Sequence, residues 1–481
     1  MKKKLSELTS QFVFNAYHLS DDMAFHVEEI DAGRLINRNR LDIMAKILYL
    51  KLKDTAPAYA RKMYLEHVRI MTRDSFVEAG SHKSGAQAFI DAFEQLYEQM
   101  KVHGYSDEAL PIPVDPDMQP MDGAHRIACA YVLNIPVKVI CLPVAAEYDR
   151  YPYQWFMERG TDPDVLDQMV LEYIRAKDHC ACVNIWPSAK GHDEEVERIL
   201  QEHFGIIYKK EVSLNENGAF HYLAQIYQEY SWAQDHDGDG FSGVYRKLVP
   251  CFPTFDPVKA YFIEVSDYAE VTAVKEQLRD LFGLEKHSMH ATDNQQETVL
   301  MSELLLSRQT VSFMNQCQST RFPNTFRLLK ESDSFDFSRT VLTGSIVLAL
   351  YGMRQAEDLD FISMDDLPGS HNDLLKYYGM TASEAVNDPE KYFVYFGKKF
   401  LTLEQVRNFK KNRNEGKDRD DVQLIDAMIK NAGKPDLKVR LLQTKRRVVA
   451  KTQGVILKAA HATGTYDLLR AVYRKLKGQK S

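Results

Sequence analysis

Two short groups of residues in this sequence carry side chains whose types and spacing suit work on phosphates. In the last third, Val341-Leu-Thr-Gly-Ser-Ile-Val-Leu-Ala-Leu reads as a strand, a Gly344-Ser345 turn and a helix. Glu357-Asp-Leu-Asp-Phe-Ile-Ser then reads as a second strand, with Asp358 and Asp360 at i and i+2. That spacing sets both carboxylates on one strand face. Two convergent carboxylates can hold Mg²⁺ against a nucleoside triphosphate, and the N–H groups and hydroxyl of a Gly-Ser turn can contact its terminal phosphates. Nearer the N-terminus, Asp122-Gly123-Ala124-His125-Arg126 follows an extended piece and opens a helix. Gly123 permits a sharp turn, and the helix start offers free N–H groups. Arg126 is a bidentate phosphate donor, and His125 can donate or relay a proton.

The N-terminal group lies in a segment, Leu110 to Leu142, that is similar to the ParB/sulfiredoxin fold. In that family a Gly-x-His-Arg motif grips nucleotide phosphates, which implies that role for Asp122, Gly123, His125 and Arg126. The family includes CTP-hydrolysing partition proteins, sulfiredoxins and a free-serine kinase. Ala124 stands where sulfiredoxin chemistry needs a cysteine, so that activity is not expected. In the kinases a glutamate near the start of the domain acts on the acceptor hydroxyl, and Glu28 and Glu29, beside Ile30, are the residues this resemblance puts there.

A second resemblance covers residues 182 to 305. Cys182-Val-Asn-Ile-Trp-Pro, a helix through Glu194 to Phe204, Ile206-Ile-Tyr-Lys-Lys, Pro257-Val-Lys-Ala-Tyr-Phe-Ile-Glu-Val, a helix over Ala273 to Gly283 and His287-Ser-Met-His-Ala-Thr-Asp follow in order. That order resembles nucleoside diphosphate kinase, a ferredoxin-like fold. By motif, Arg279 matches the family's phosphate-contacting arginine and His290 its phosphorylated histidine, with Thr292 and Asp293 as the polar residues after it. A neutral imidazole nitrogen can attack a γ-phosphoryl group while an arginine stabilises charge on the transferring oxygens. Trp186 replaces the family's lysine and His287 its asparagine.

Gly-Ser followed by Asp-x-Asp resembles the DNA polymerase β-type nucleotidyltransferase superfamily, and the likeness extends to about Ile429. Lys399-Phe-Leu-Thr-Leu-Glu-Gln-Val-Arg-Asn-Phe-Lys-Lys-Asn-Arg, then Lys417-Asp-Arg-Asp-Asp-Val, resembles the helix-and-Lys-Asp ending of small members. The resemblance implies Asp358 and Asp360 as catalytic and metal-binding residues and Gly344 and Ser345 as the nucleotide contact. The family's third carboxylate belongs on a later strand. The candidate strand, Tyr392 to Phe400, contains none, and Asp365, Asp366 and Asp373 fall on expected loop.

The elements that must position these groups divide the 481 residues into a ParB/sulfiredoxin-like unit (1–150), a nucleoside diphosphate kinase-like unit (151–320), a nucleotidyltransferase-like unit (321–433) and a basic helical tail (434–481). The expected class is a multidomain mix of α/β and α+β folds. With 44% hydrophobic and 27% charged residues, the composition excludes a disordered, collagenous or disulfide-scaffold chain. No apolar run approaches the roughly 18 residues of a membrane span. Six cysteines without a CxxC pair fit a reducing compartment. Asp235-His-Asp-Gly-Asp-Gly begins like a calcium loop, but Arg246 holds the twelfth position, which needs a glutamate. The net charge of −7 conceals a basic tail, with thirteen Lys or Arg against Asp436 and Asp467. Leu468, Leu469, Val472 and Leu476 recur there at helical spacing among basic residues, suiting an anionic surface.

These readings together lead to an expected transferase of phosphorus-containing groups, a kinase or nucleotidyltransferase, using Mg²⁺ and ATP or another nucleoside triphosphate. The expected acceptor is a sugar, polyol or glycan precursor, since the arrangement resembles uncharacterised proteins of bacterial surface-polysaccharide clusters. A cytoplasmic location is expected, with the tail suited to contact at the inner face of a membrane. The competing expectations are a nucleic-acid-associated or defence-type nucleotidyltransferase, and a non-catalytic nucleotide-binding scaffold.

Overall fold

A computed structural model describes residues 4–78, 83–106, 108–234 and 240–430. The basic tail and the carboxylates of the calcium-like loop, 235–239, lie outside the described residues. The architecture is mixed α/β, with three small sheets, one falling in each of the three expected segments. Among the described residues no helix is long and apolar enough to cross a membrane.

The first sheet contains β1 (His26–Asp31), β2 (Ile112–Val114) and β3 (Pro136–Cys141), in the order β1-β3-β2. β1 runs antiparallel to β3 and β2 parallel to it. Ile30, Ile112, Val137 and Val139 alternate onto one face and join an apolar cluster with the helices Asp42–Leu52 and Ala124–Leu133. Every residue from Asp42 to Leu50 is buried. This central helix carries charge only where it is paired: Lys46 lies 3.1 Å from Asp42, and Arg40 lies 2.8 Å from the same carboxylate.

The second sheet contains β4 (Cys180–Ile185), β5 (Gly205–Val212), β6 (Val258–Glu264) and β7 (Met289–Ala291). Its order is β5-β6-β4-β7, with every neighbour antiparallel. β4 is apolar almost throughout because both of its faces are covered. Ala181, Val183 and Ile185 pack with Val196, Ile199, Val271 and Leu278 of the helices Asp193–His203 and Tyr268–Phe282. Cys180 and Cys182 face the opposite way, into the larger cluster shared with the rest of the molecule.

The third sheet contains β8 (Thr340–Thr343), β9 (Asp360–Ser363), β10 (Tyr392–Tyr395) and β11 (Lys398–Leu401). Its order is β10-β11-β8-β9, in which only β11 and β8 are parallel. The single strand expected over Tyr392 to Phe400 is instead a tight hairpin. Phe396 and Gly397 both take positive φ, 49° and 68°, the conformation a two-residue turn between twisted strands requires.

The three units are joined by buried and part-buried hydrogen bonds and by ion pairs nearer the surface. The Tyr395 hydroxyl lies 3.0 Å from His221 Nδ1, and the Phe396 N–H donates to Gln225 Oε1 at 2.8 Å. Lys51 pairs with Glu172 at 2.5 Å, and Lys62 with Glu390 at 2.7 Å.

Candidate functional site

β8 runs straight into Gly344, whose φ of 70° and ψ of −135° only glycine adopts readily. The helix Ser345–Leu350 follows. The register sets Thr343 opposite Asp360, so the first residue of β9 lies beside the turn. A Cβ on residue 344 would fall 1.9 Å from Asp360 Oδ2, so the carboxylate occupies the space that the missing side chain leaves. The Ser345 hydroxyl donates to Asp358 Oδ1 at 3.3 Å. Asp358 is exposed and lies in the bend before β9 rather than on the strand, yet both carboxylates converge on the same Gly-Ser turn.

His371, which the sequence reading did not single out, completes this arrangement. Its Nε2 lies 3.0 Å from Asp360 Oδ1, and its Nδ1 lies 3.0 Å from the Tyr378 hydroxyl. Tyr378 in turn reaches Thr343 Oγ1 at 3.2 Å and stacks on Phe409, ring centres 4.1 Å apart. Burial opposes the charge on Asp360. The hydrogen bond and charge of His371, the Ser345 N–H and the charge of Lys410 outweigh it and hold the carboxyl below its usual range. No sequence signal pointed to His371, because it returns to the site through a loop.

The Lys-Asp ending singled out in the sequence becomes a buried ion network beside this site. Lys410 Nζ lies 2.8 Å from Asp421 and 3.4 Å from Asp418. Arg413 grips Asp418 through two nitrogens, at 2.7 and 2.8 Å, and Arg354 grips Asp421 at 2.7 and 3.0 Å. Asp365 does not join Asp358 and Asp360. It lies past the opposite end of β9, gripped by Arg339 at 2.6 to 2.9 Å. Asp366 follows it, and Asp373 sits in the turn His371–Leu374.

In the middle unit, His290 sits on the edge strand β7, with both ring nitrogens engaged. Nδ1 lies 3.2 Å from the Tyr227 hydroxyl and Nε2 3.0 Å from Glu297 Oε1. Glu297 is fixed in turn: its other oxygen accepts the Asp293 N–H, and its own N–H donates to the Asn294 cap. The pattern Asn294-Gln-Gln-Glu297 is a readable helix-start signal that could have placed Glu297 beside His290. Arg279 donates to Glu276 at 2.6 Å, while its buried Nε has no partner among the described residues. Its charge reaches the Tyr227 phenol, whose pKa burial raises. Thr292 is buried. Its hydroxyl accepts from the Cys182 N–H at 2.9 Å and meets Thr298 at 2.8 Å, tying β7 to β4. Burial and the charges of Lys247 and Lys286 push His287 down to about 4, so it is neutral at pH 7.

In the N-terminal unit, Gly123 has φ 83° and caps the helix Ala124–Leu133. Arg126 folds back over it, donating to the Tyr105 hydroxyl at 2.9 Å and to the Leu110 carbonyl. His125 turns inward to Tyr64, 3.0 Å from its hydroxyl, with its ring edge against Phe93. Burial and the positive charge of Lys46 hold it well below its ordinary pKa. Asp122 is exposed and accepts the Gly123 N–H at 2.6 Å. Glu28 and Glu29, adjacent on β1, point to opposite faces of the sheet. Glu28 faces His26 and Cys141, whereas Glu29 is paired in register with Lys138.

Compared with protein-family models, curated proteins and solved structures, this chain finds no match. The Gly344 turn brings together two carboxylates, a hydroxyl and a histidine, and an all-oxygen pair of carboxylates suits a hard cation such as Mg²⁺.

Proposed function

We propose that this protein is an Mg²⁺-dependent nucleotidyltransferase acting at Gly344, Ser345, Asp358 and Asp360. Its donor is ATP or another nucleoside triphosphate, and its acceptor is a hydroxyl of a sugar, polyol or glycan precursor. The observation that carries this reading is the seat of Asp360 in the space vacated by the Gly344 side chain, with Asp358 held on Ser345. A parallel pair β8–β11 flanked by antiparallel β9 and β10 supports a nucleotidyltransferase-type unit.

Asp358 and Asp360 would hold the metal, which when bound neutralises phosphate charge and favours in-line displacement. The acceptor oxygen bonds to the α-phosphorus, the bond to the pyrophosphate oxygen breaks, and the acceptor proton leaves to water. Gly344 lets the backbone approach the phosphates. Ser345 orients Asp358, and His371 with Tyr378 fixes the rotamer of Asp360. The test supplies triphosphates labelled at the α or the γ position, with Mg²⁺ and a panel of sugars and polyols. Wild type transfers the α label and releases pyrophosphate, and the Asp358→Ala, Asp360→Ala double variant does neither. Pyrophosphate release equal in both proteins rejects the reading.

A second reading, phosphotransfer through His290, is favoured by Glu297 on Nε2 and by Arg279, whose charge reaches Tyr227 beside that ring. The order β5-β6-β4-β7 supports the ferredoxin-like arrangement that goes with it. Once the Tyr227 hydroxyl moved aside, Nδ1 would attack the γ-phosphorus, the bond from that phosphorus to the β,γ-bridging oxygen would break, and the nucleoside diphosphate would leave. The expected product is an acid-labile, base-stable protein label that His290→Ala removes. Absence of label on wild type leaves His290 a structural residue.

A further inference from the structure

Three donors of different chemistry meet at one end of the first sheet. His26 opens β1, Cys141 closes β3, and the antiparallel register sets them directly opposite each other. Glu28, two residues along, shares their face. On that face Ile30, Val137, Val139 and Val114 are buried, Val139 opposite Glu28 and Val114 beside Cys141, while His26 and Glu28 on the edge strand stay open to solvent. Cys141 Sγ lies 3.7 Å from Glu28 Oε1, and His26 Nε2 lies 3.9 Å from that same oxygen. One ligand atom from each residue lies within 4.8 Å of the other two.

A tetrahedral Zn²⁺ with sulfur at about 2.3 Å and nitrogen or oxygen near 2.0–2.2 Å spaces its donors by roughly 3.3–3.6 Å. Exposed His26 and half-exposed Glu28 can close the remaining gap by rotamer adjustment alone. The other five cysteines are all buried, so Cys141 is the thiol that a cation can reach. Without a cation the arrangement opposes itself, because burial and the Glu28 carboxylate both push the Cys141 thiol up. A divalent ion reverses that logic by replacing the thiol proton and neutralising the carboxylate.

We propose that His26, Glu28 and Cys141 form a three-ligand site for a borderline-soft divalent transition cation of the Zn²⁺ type, with a fourth position open to solvent water. Thiolate, imidazole and carboxylate together select such an ion over Mg²⁺, which sets this site apart from the all-oxygen pair Asp358 and Asp360. Binding releases the Cys141 proton, so apparent affinity rises about tenfold per pH unit below the thiol pKa. Bound metal would also tie the first residue of the edge strand β1 to the last residue of β3.

The test uses the full chain, reduced and stripped with a chelator, then titrated with Co²⁺ and followed by absorbance. The expected result is a thiolate-to-cobalt charge-transfer band that saturates at one ion per chain, is bleached by Zn²⁺ and is absent in Cys141→Ser. His26→Ala and Glu28→Gln should bind at least about tenfold more weakly, by analogy with the losses seen even for outer-shell changes. His26 is largely exposed, so its variant should fold, which circular dichroism checks. No band on wild type, a band that survives in Cys141→Ser, or wild-type affinity in both other variants overturns the proposal.

Discussion

Gly344 is the residue on which the proposed chemistry depends most sharply, because its missing side chain is the seat of a carboxylate. Gly344→Ala should cost about 1–3 kcal/mol from the backbone conformation alone. It should also abolish transfer, because the new Cβ displaces Asp360. Urea denaturation and a transfer assay check the two effects separately. His371 acts through Asp360 rather than on substrate. His371→Ala is expected to lower transfer by about 10–100-fold, chiefly through weaker apparent affinity for Mg²⁺. His371→Gln, which can still donate to Asp360, should recover part of that loss. Unchanged Mg²⁺ dependence in His371→Ala would remove the positioning role.

The helices Leu403–Arg413 and Gly416–Lys430 are fastened to each other by charges as well as by apolar packing, and Arg354 ties the second of them to the turn after the helix Ser345–Leu350. Lys410 is 3% exposed and Asp418 0%, so removing one partner strands a buried charge. Asp418→Asn should therefore destabilise by about 3–5 kcal/mol, read as a fall in the urea midpoint at unchanged slope. Burial works against the charge on Asp418 and Asp421, but Arg413, Lys410 and Arg354 outweigh it and hold both carboxyls below their usual range. A carboxyl with a depressed folded pKa adds stability that is complete above its unfolded value, near 3.9, and is lost as pH falls through the folded value. Stability should accordingly decline below about pH 4, and Asp418→Asn should flatten that decline. Much at this scale was legible in the sequence. The strands β4 and β6 and the helices Asp193–His203 and Tyr268–Phe282 fall on the segments read from the sequence. The β10–β11 hairpin was not legible, because Phe396-Gly397 breaks an otherwise continuous strand pattern without a typical Asn-Gly or Asp-Gly signal. Local spacing put Gly344 at a turn and Asp360 on a strand, as observed, but it also put Asp358 on that strand, whereas Asp358 lies in the bend before it. His371 and Tyr378 were not legible, since a loop without a periodic pattern returns them to the site, and Tyr227 and the His26–Cys141 pairing were not, since they depend on contacts between elements distant in sequence.

Across the whole molecule, one apolar cluster runs from Ile30 in the first unit to Ile425 in the last. Side-chain bonds such as Tyr395 to His221 cross between units. The three sheets should therefore unfold together, as a single calorimetric transition. Tyr395→Phe leaves His221 Nδ1 buried without that partner and should lower the whole transition rather than split it. Well-separated transitions would show that the sheets are independent. The account rests above all on transfer at the Gly344 turn, and the most direct measurement is pyrophosphate release with Mg²⁺ and α-labelled nucleoside triphosphates, run beside the Asp358→Ala, Asp360→Ala double variant. The account predicts α label on a hydroxyl acceptor with matching pyrophosphate, both lost in the variant. Label transferred from the γ position alone, or pyrophosphate release that survives loss of both aspartates, would contradict it.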